Sequence, residues 1–330
     1  MYGHCRIFVN IKREQLHSLL PLNTPLVLYL EPSGLCNFKC KFCPQYLDPD
    51  ALIKDMMGLE TYLKVIQDIE EFPQNLKVLR FIGTGEPLLN KDLPIFAQIA
   101  RKSRKIERIE LTSNASLFNS QIANAICPYL DKIIISIEGL NDESYLEFAG
   151  TAIKFNKIVD NVRQLYESSG QCEIYVKIHS SAIRNQSDKD LFLDTFLPVS
   201  DKAFIENLVN LWPETESKLS SKSNARYGGG VISKKVCAQI FKSMMINANG
   251  DIVPCCVDFK RKLMIGNVMS QSLLSIWKSD SLRELRLKHL CFNKDKISVC
   301  KDCSYNDYSD VDYLDPYVDE ILNRFKLVSH

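Results

Sequence analysis

The sequence feature that most constrains the fold is an alternation of strand-like and helix-like segments through the first two thirds of the chain. Short apolar runs alternate with longer segments whose apolar residues recur at helical spacing. Because alternating βα units build a parallel sheet with right-handed crossovers, we expect an α/β fold. The predicted strands are Leu26–Glu31, Lys77–Ile82, Ile106–Leu111, Lys132–Ile137, Cys172–His179 and Ala203–Val209. The predicted helices are Leu59–Phe72, Leu93–Arg104, Gln121–Ile126, Ile153–Glu167 and Lys189–Phe196, followed by Leu273–Leu287 and Tyr317–Leu327 near the C-terminus.

Three cysteines lie in the loop directly after the first predicted strand. Cys36, Cys40 and Cys43 have the spacing C-x3-C-x2-C, and Phe42 precedes the last of them. Four-iron clusters normally take four Cys ligands. Three thiolates would leave one iron open to another molecule, and an open coordination position separates a reactive metal site from a structural one. A zinc knuckle or a set of buried apolar thiols is the alternative for these residues.

The cysteine spacing resembles the signature of the radical S-adenosylmethionine (SAM) enzymes. The resemblance implies that SAM chelates the open iron, and that an electron from the cluster splits SAM to give a 5′-deoxyadenosyl radical. It also implies a partial (β/α)6 TIM-like barrel, although the strand–helix alternation alone equally allows a doubly wound sheet. Enzymes of this family take their electron from a low-potential donor such as flavodoxin or ferredoxin.

Further motifs fall at the ends of the later predicted strands, where the active site of a parallel α/β barrel forms. The segment Gly83-Thr84-Gly85-Glu86-Pro87 resembles the family's GGEP element, with Thr84 in place of one glycine. The resemblance implies that this turn binds the SAM amino group through backbone carbonyls and Glu86. It also implies that Phe42 packs near the adenine, and that the ribose and methionine contacts are Ser113, Asn114, Ser136 and Glu138. Plain turns and strand-end capping are the alternatives for these residues, and His179 is either an acid–base group or a buried histidine at the barrel rim.

A second group of cysteines lies in the C-terminal third. The spacing of Cys237, Gly250 and Cys255 resembles the opening of a SPASM domain, the auxiliary-cluster extension of many radical SAM enzymes. A full SPASM domain holds two extra clusters, but here only the Cys300-x2-Cys303 pair follows. The chain thus resembles the shortened "twitch" version, which implies one auxiliary four-iron cluster, and its cysteine spacing is similar to that of aminocyclitol dehydrogenases. Cys256 and Cys291 compete as ligands, and a zinc ribbon is the structural alternative.

Changes in composition along the chain indicate its domain boundaries, and the net charge limits the kinds of partner that it can bind. We expect an N-terminal extension (1–25), a radical SAM core (26–212), a linker (213–235), an auxiliary-cluster domain (236–305) and a helical tail (306–330). A net charge of +1 gives no general case for binding nucleic acid or a membrane. The first residues do not form a signal-peptide pattern, so we expect a cytoplasmic protein whose 12 cysteines serve metal binding or catalysis.

One auxiliary cluster implies an oxidation, because that cluster can accept the second electron after hydrogen abstraction. We therefore expect an oxidoreductase that acts on a hydroxyl-bearing small molecule such as a sugar or cyclitol, with Asp258 as a candidate base. A surface turn residue is the alternative for Asp258. An epimerase is the close alternative, in which Cys256 returns a hydrogen atom. Two further possibilities are an enzyme that matures a peptide or protein and a non-enzymatic zinc or electron-carrying protein.

Overall fold

One sheet of nine strands runs through the part of the chain that the structure describes. This computed structural model describes residues 14–212, 215, 217–220, 223–309 and 311–327. The strands are β1 (Val27–Leu30), β2 (Val78–Phe81), β3 (Ile109–Ser113), β4 (Lys132–Ile137), β5 (Glu173–His179), β6 (Lys202–Glu206), β7 (Ser243–Ile246), β8 (Asp251–Val253) and β9 (Gly266–Asn267).

The order of the strands confirms the predicted parallel core. In the order β6-β5-β4-β3-β2-β1-β7-β8-β9, strands β1 to β6 are all parallel and adjacent in sequence order. With helices in the crossovers, this is a partial (β/α)6 barrel, as predicted. Two predicted strands differ from the observed ones by more than one residue at an end. Strand β3 begins at Ile109 because Ile106 forms only an isolated bridge with Leu76, and β6 ends at Glu206 instead of Val209.

Helices follow most of the strands. They are α1 (Leu16–Leu19), α2 (Pro44–Leu47), α3 (Leu59–Glu70), α4 (Leu93–Lys102), α5 (Ser120–Ile126), α6 (Asp142–Ala149), α7 (Phe155–Glu167), α8 (Gln186–Phe196), α9 (Gln239–Lys242), α10 (Leu273–Trp277), α11 (Asp280–Leu290), α12 (Tyr305–Ser309) and α13 (Val318–Leu327). Short 3₁₀ turns lie at Pro49–Ala51, Pro87–Leu89, Cys127–Tyr129, Ser180–Ala182, Leu197–Val199, Lys294–Lys296 and Asp315–Tyr317.

Two differences between the predicted and the observed helices have a clear cause in capping residues. Helix α6 is absent from the predicted set, although Asn141 and Ser144 form a capping box at its start. The predicted helix Leu273–Leu287 is divided into α10 and α11, because the Ser279 side chain accepts the Leu282 N–H and starts a new helix.

The C-terminal part continues the core sheet. Strand β7 pairs in parallel with β1, and β7 and β8 form an antiparallel pair. The turn between them contains Gly250, whose φ of 87° favours glycine. Because β1 also carries the first cysteine loop, this pairing places the C-terminal part next to the predicted SAM site.

Some expectations concern residues outside the described part of the chain. They are positions 1–13 of the N-terminal extension, positions 213, 214, 216, 221 and 222 of the linker, and positions 310 and 328–330 of the tail. Within the described ranges, no helix is both long enough and apolar enough to span a membrane.

Candidate active site and auxiliary cluster site

The first cysteine loop is anchored by backbone hydrogen bonds to helix α6. The Lys39 N–H donates to the Ala149 carbonyl at 2.8 Å, and the Lys41 N–H donates to the Phe148 carbonyl at 2.9 Å. Within the loop, the Cys43 N–H donates to the Cys40 carbonyl at 2.8 Å. Helix α6, which the sequence did not predict, therefore fixes the segment that carries the cysteines.

The chemistry of the three thiols fits an iron–sulfur cluster. Burial raises the pKa of Cys36 to about 11 and that of Cys43 to about 12, and it raises the pKa of Cys40 well above its ordinary value. Thiolates in this place need compensating positive charge, which iron ions supply. Cys36 Sγ already accepts the Phe38 N–H at 3.4 Å, a contact that also stabilises a thiolate. Cys36, Cys40 and Cys43 would hold the cluster, and its fourth iron would be open to SAM.

The turn at Gly83–Pro87 packs directly against this loop. A Cβ atom at Gly85 would lie 2.2 Å from the Ser33 carbonyl oxygen and 2.3 Å from that of Leu35, so only glycine fits there. Thr84, the departure from the family motif, donates its N–H and its hydroxyl to Glu31 Oε1, each at 2.8 Å. These two hydrogen bonds hold Thr84 in the turn.

Glu86 connects the ends of strands β2 and β3. Its carboxylate accepts the Ser113 hydroxyl and the Asn114 N–H, each at 2.8 Å, and the Leu88 N–H at 3.1 Å. The side chain is only 2% exposed, and burial raises its pKa to about 7. Three predicted cofactor contacts, Glu86, Ser113 and Asn114, are therefore brought together in one hydrogen-bonded group beside the cysteine loop.

A cavity of about 170 Å³ lies above the ends of β4 to β6. Its wall includes the predicted residues Phe42, Ser136 and Glu138, together with Cys43 and His179. Burial raises the pKa of Glu138 to about 7 and lowers that of His179 to about 4. Neither ring nitrogen of His179 makes a hydrogen bond, and Nε2 lies 3.6 Å from Glu138 Oε2. Buried polar atoms without protein partners indicate a place that a polar ligand would fill.

A second cavity, of about 260 Å³, occupies the interior of the barrel, and we call it the barrel cavity. Its wall is formed by Tyr29, Arg80, Ile82, Gly83, Thr112, Ile134, Lys177, Phe204, Leu211, Trp212, Arg226, Tyr227, Met245, Cys256, Val257 and Tyr305. Residues Lys177, Leu211, Trp212 and Arg226 line both cavities, so the two lie side by side.

Glu206 joins two cations at the boundary between these cavities. Its carboxylate pairs with Lys177 and accepts hydrogen bonds from Arg226 at 2.9 and 3.1 Å. Burial alone would raise the pKa of Glu206, but the charges of Arg226 and Lys177 lower it to about 2. Little in the sequence indicates this ion group, because Arg226 comes from the expected linker and Glu206 from the interior of a predicted strand.

The auxiliary cysteines meet at a third cavity, which we call the four-cysteine cavity. Its wall includes Cys237, Cys255, Cys300 and Cys303, which come from three separate segments of the chain. Burial raises the pKa of Cys300 to about 12, so a thiolate there also requires positive charge from a metal group. The described residues contain no group of three or more His, Cys, Asp or Glu side chains placed to hold a single metal ion.

The two competing cysteines are not part of the wall of the four-cysteine cavity, although Cys256 directly follows Cys255. Cys291 is exposed, and Cys256 lines the barrel cavity. Asp258 lines the four-cysteine cavity, where its carboxylate accepts the Lys262 and Leu263 N–H groups at 3.1 and 2.8 Å. Asp258 thus stabilises the turn after Cys255, whereas Cys256 lies at the wall of the barrel cavity, and the catalytic roles expected of both residues stay predictions.

Comparison with known proteins identifies the domains. The family model of the radical SAM superfamily matches residues 30–192, and that of an iron–sulfur cluster-binding domain, SPASM, matches residues 237–304. A GTP 3′,8-cyclase of Aliarcobacter butzleri is 23% identical over 57% of this chain and 55% of its own length, so the chain spans about half of that relative. The tungsten-containing aldehyde ferredoxin oxidoreductase cofactor-modifying protein of Pyrococcus furiosus is 22% identical over 86% of this chain and 88% of its own length.

Solved structures share the fold. BtrN, in complex with AdoMet and 2-DOIA, has a TM-score of 0.56 and 17% identity, and covers 88% of this chain and 95% of its own. The protein anSMEcpe, with bound AdoMet and Cp18Cys peptide, has a TM-score of 0.59 and 17% identity, and covers 92% of this chain and 96% of its own. These structures share the fold, and the two domain matches show that the chain belongs to the radical SAM superfamily and has a C-terminal SPASM domain, which implies a four-iron cluster, SAM and auxiliary iron–sulfur binding.

Proposed function

We propose that the enzyme is a dehydrogenase that oxidises a hydroxyl-bearing small molecule, with a single auxiliary four-iron cluster as electron acceptor. Cys237, Cys255, Cys300 and Cys303 would hold that cluster. One observation carries the proposal: the consecutive residues Cys255 and Cys256 line the four-cysteine cavity and the barrel cavity, respectively. Val257 and Tyr305 line both cavities and form the wall between them. An electron leaving a substrate in the barrel cavity would therefore have a short path to the acceptor.

The chain's own residues bind and orient the substrate. When bound, SAM and the two clusters supply one-electron chemistry, namely removal of a substrate hydrogen atom and acceptance of a further electron. The ammonium of Lys177 and the guanidinium of Arg226 donate hydrogen bonds at the boundary of the two cavities, where hydroxyl oxygens can accept them. Trp212 and Tyr227 offer apolar faces to the carbon skeleton. Loss of a hydrogen atom, an electron and the hydroxyl proton converts the alcohol to a carbonyl.

The test uses the anaerobically reconstituted full chain with SAM and a reductant. We would offer 2-DOIA, the compound in the BtrN complex, together with myo-inositol and glucose, each deuterated at the carbons that carry hydroxyl groups. We expect one carbonyl product for each deuterated 5′-deoxyadenosine, measured by mass spectrometry after hydrazine trapping. Deuterated 5′-deoxyadenosine without any carbonyl product would contradict the dehydrogenase.

An epimerase is the second candidate, and the position of Cys256 favours it. A thiol in the barrel cavity could return a hydrogen atom to the opposite face of a substrate radical. Reaction in D₂O separates the two functions, because an epimerase puts solvent deuterium on carbon and a dehydrogenase does not. Cys256→Ala would leave a dehydrogenase active and stop an epimerase, and Cys291→Ala, at an exposed thiol, is the matched control.

Peptide maturation is tested by the same assay. The solved complexes of anSMEcpe and BtrN contain a peptide and a small molecule, respectively. Replacing the small molecules with a Cys-containing peptide of the Cp18Cys type, deuterated at its carbon atoms, would give deuterated 5′-deoxyadenosine only if the enzyme accepts peptides. That result, without turnover of the small molecules, would overturn the proposed substrate class.

A further inference from the structure

A buried histidine in the auxiliary part of the chain has one nitrogen without a protein partner. His289 is fully buried on helix α11 and lines the four-cysteine cavity. Its Nε2 atom makes no hydrogen bond in the described structure. A buried polar atom left without a partner costs about 1–3 kcal/mol, so such an atom beside a cofactor cavity indicates a ligand contact.

The other ring nitrogen determines where the proton is. His289 Nδ1 accepts the backbone N–H of Cys237 at 3.3 Å. A ring nitrogen that accepts a hydrogen bond carries no proton, so a neutral imidazole must carry its proton on Nε2. His289 Nε2, the atom without a partner, is therefore an N–H donor. The backbone N–H of Cys237, a predicted cluster ligand, holds the ring in place.

A second hydrogen-bond donor at the wall of the same cavity, the Lys294 ammonium, has an acceptor in the protein. The Lys294 ammonium donates to the Cys303 carbonyl at 3.0 Å. His289 thus offers a neutral donor without a protein acceptor, whereas the nearby cation has a backbone partner.

We propose that His289 Nε2–H donates a hydrogen bond to a sulfur of the auxiliary cluster and raises its reduction potential. This inference rests on the auxiliary cluster of the proposed function. Hydrogen bonds to the sulfurs are among the features that set the potential of an iron–sulfur cluster. The reduced cluster carries one more negative charge than the oxidised one, so a donor stabilises the reduced state more strongly. His289 is a positioning and tuning residue, and its effect would favour transfer of an electron onto the auxiliary cluster.

The first test is a redox titration followed by EPR. The full-length chain would carry Cys36→Ala, Cys40→Ala and Cys43→Ala, so that the signal of the auxiliary cluster is measured alone. We expect His289→Leu to lower the reduced-to-oxidised ratio at a fixed potential about tenfold, which is a downward shift of about 59 mV. His289→Gln, which retains a donor of similar reach, should recover at least half of the shift.

His179→Leu is the matched control, because His179 is also buried and unpartnered but lies in the SAM-side cavity. It should leave the auxiliary potential unchanged. An assembled His289→Leu cluster with the parental potential would overturn the proposal, and it would leave the proposed dehydrogenase untouched because the substrate assay is separate.

A second measurement does not depend on the His289→Leu variant assembling its cluster. In the chain that carries only Cys36→Ala, Cys40→Ala and Cys43→Ala, reduced in D₂O, pulsed EPR should detect an exchangeable deuteron coupled to the auxiliary cluster, and ¹⁵N-histidine labelling should add a weak nitrogen coupling. The absence of both couplings would overturn the proposal even if His289→Leu fails to bind iron.

Discussion

The two cysteine sites are built in different ways. The first lies at the ends of parallel strands, where register alone brings β1, β2 and β3 together, and polar contacts such as Glu86–Ser113 connect those ends. The second gathers four cysteines from turns between short elements, and its supporting strand β9 has only two residues. The barrel thus forms a site that exists before a metal group binds, whereas the auxiliary loops have fewer regular contacts to hold them.

The largest expected difference between the two sites is their response to metal removal. Because metal binding contributes folding free energy where a preformed site is lacking, chelation should open the loops at 254–265 and 291–304. We expect their amide hydrogens to exchange at least about 100-fold faster in the metal-free chain. Strands β2 to β5 should change only a few-fold, because they are buried in the apolar core.

Hydrogen exchange with mass spectrometry would measure this difference on the anaerobic protein before and after chelation. The loop at 36–43 is the internal control, because backbone bonds to Ala149 and Phe148 hold it without metal. Equal opening of both cysteine loops would show that the two sites do not differ in the way described.

Much of the barrel site could be predicted from the sequence, because a strand end is a local feature. The cysteine loop and the turn at Gly83–Pro87 each follow an apolar run directly, and a parallel sheet must place those ends at one edge. The residues of the capping box of α6 are also visible in the sequence. The segment that follows them is short and partly charged, so its helical periodicity is too weak to predict the helix.

Other features of the site could not be predicted, because they depend on tertiary packing and no local sequence pattern indicates them. Arg226 reaches Glu206 from a segment that the sequence indicates only as a linker, and the ion group exists because both side chains are buried together. Spacing alone could not separate Cys255 from Cys256 either. The two residues line different cavities, so the three-dimensional path of the chain decides which of them faces the barrel cavity.

The next prediction concerns the pH dependence of the barrel. Burial raises the pKa of Glu86 and of Glu138 from 4.5 to about 7, so the folded chain holds these protons more tightly than the unfolded chain does. The resulting stabilisation is fully present below pH 4.5 and is lost as the pH rises through about 7. Each group contributes up to about 3 kcal/mol, at about 1.4 kcal/mol for each pH unit between its two pKa values.

Urea unfolding of the metal-free chain between about pH 5 and about pH 8 would measure this dependence. Glu86→Gln should flatten the decline in stability, and Glu60→Gln, at an exposed position of α3, should not. A free energy of unfolding that rises over this range would contradict the assignment.

A smaller effect on stability is expected when Gly85, in the closely packed SAM-side turn at Gly83–Pro87, is replaced. Gly85→Ala would place a methyl group against two backbone oxygens, so the turn must shift at a cost of about 1–3 kcal/mol. Because this turn is the predicted site for the SAM amino group, SAM affinity should also fall, by about tenfold or more. Gly58→Ala is the control, since no atom lies within 4 Å of its added Cβ. Isothermal titration with SAM and urea unfolding would give both quantities, and a Gly85→Ala protein with parental affinity would contradict the predicted role of the turn.

The smallest expected effect on stability concerns Glu31, which contacts both the SAM-side turn and the auxiliary part of the chain. Glu31, at the end of β1, accepts the Thr84 hydroxyl at 2.8 Å from the SAM-side turn and Arg261 Nη2 at 3.5 Å from the auxiliary part. Thr84→Val should cost about 1 kcal/mol of unfolding free energy because it removes one hydrogen bond to a buried carboxylate, and Thr84→Ser should retain that bond. Combined with Arg261→Met in a double-mutant cycle, Thr84→Val should show a coupling of at least about 0.5 kcal/mol, since both residues share Glu31. Strictly additive costs would mean that the two sites are stabilised independently, and that the pairing of β1 with β7 alone connects them.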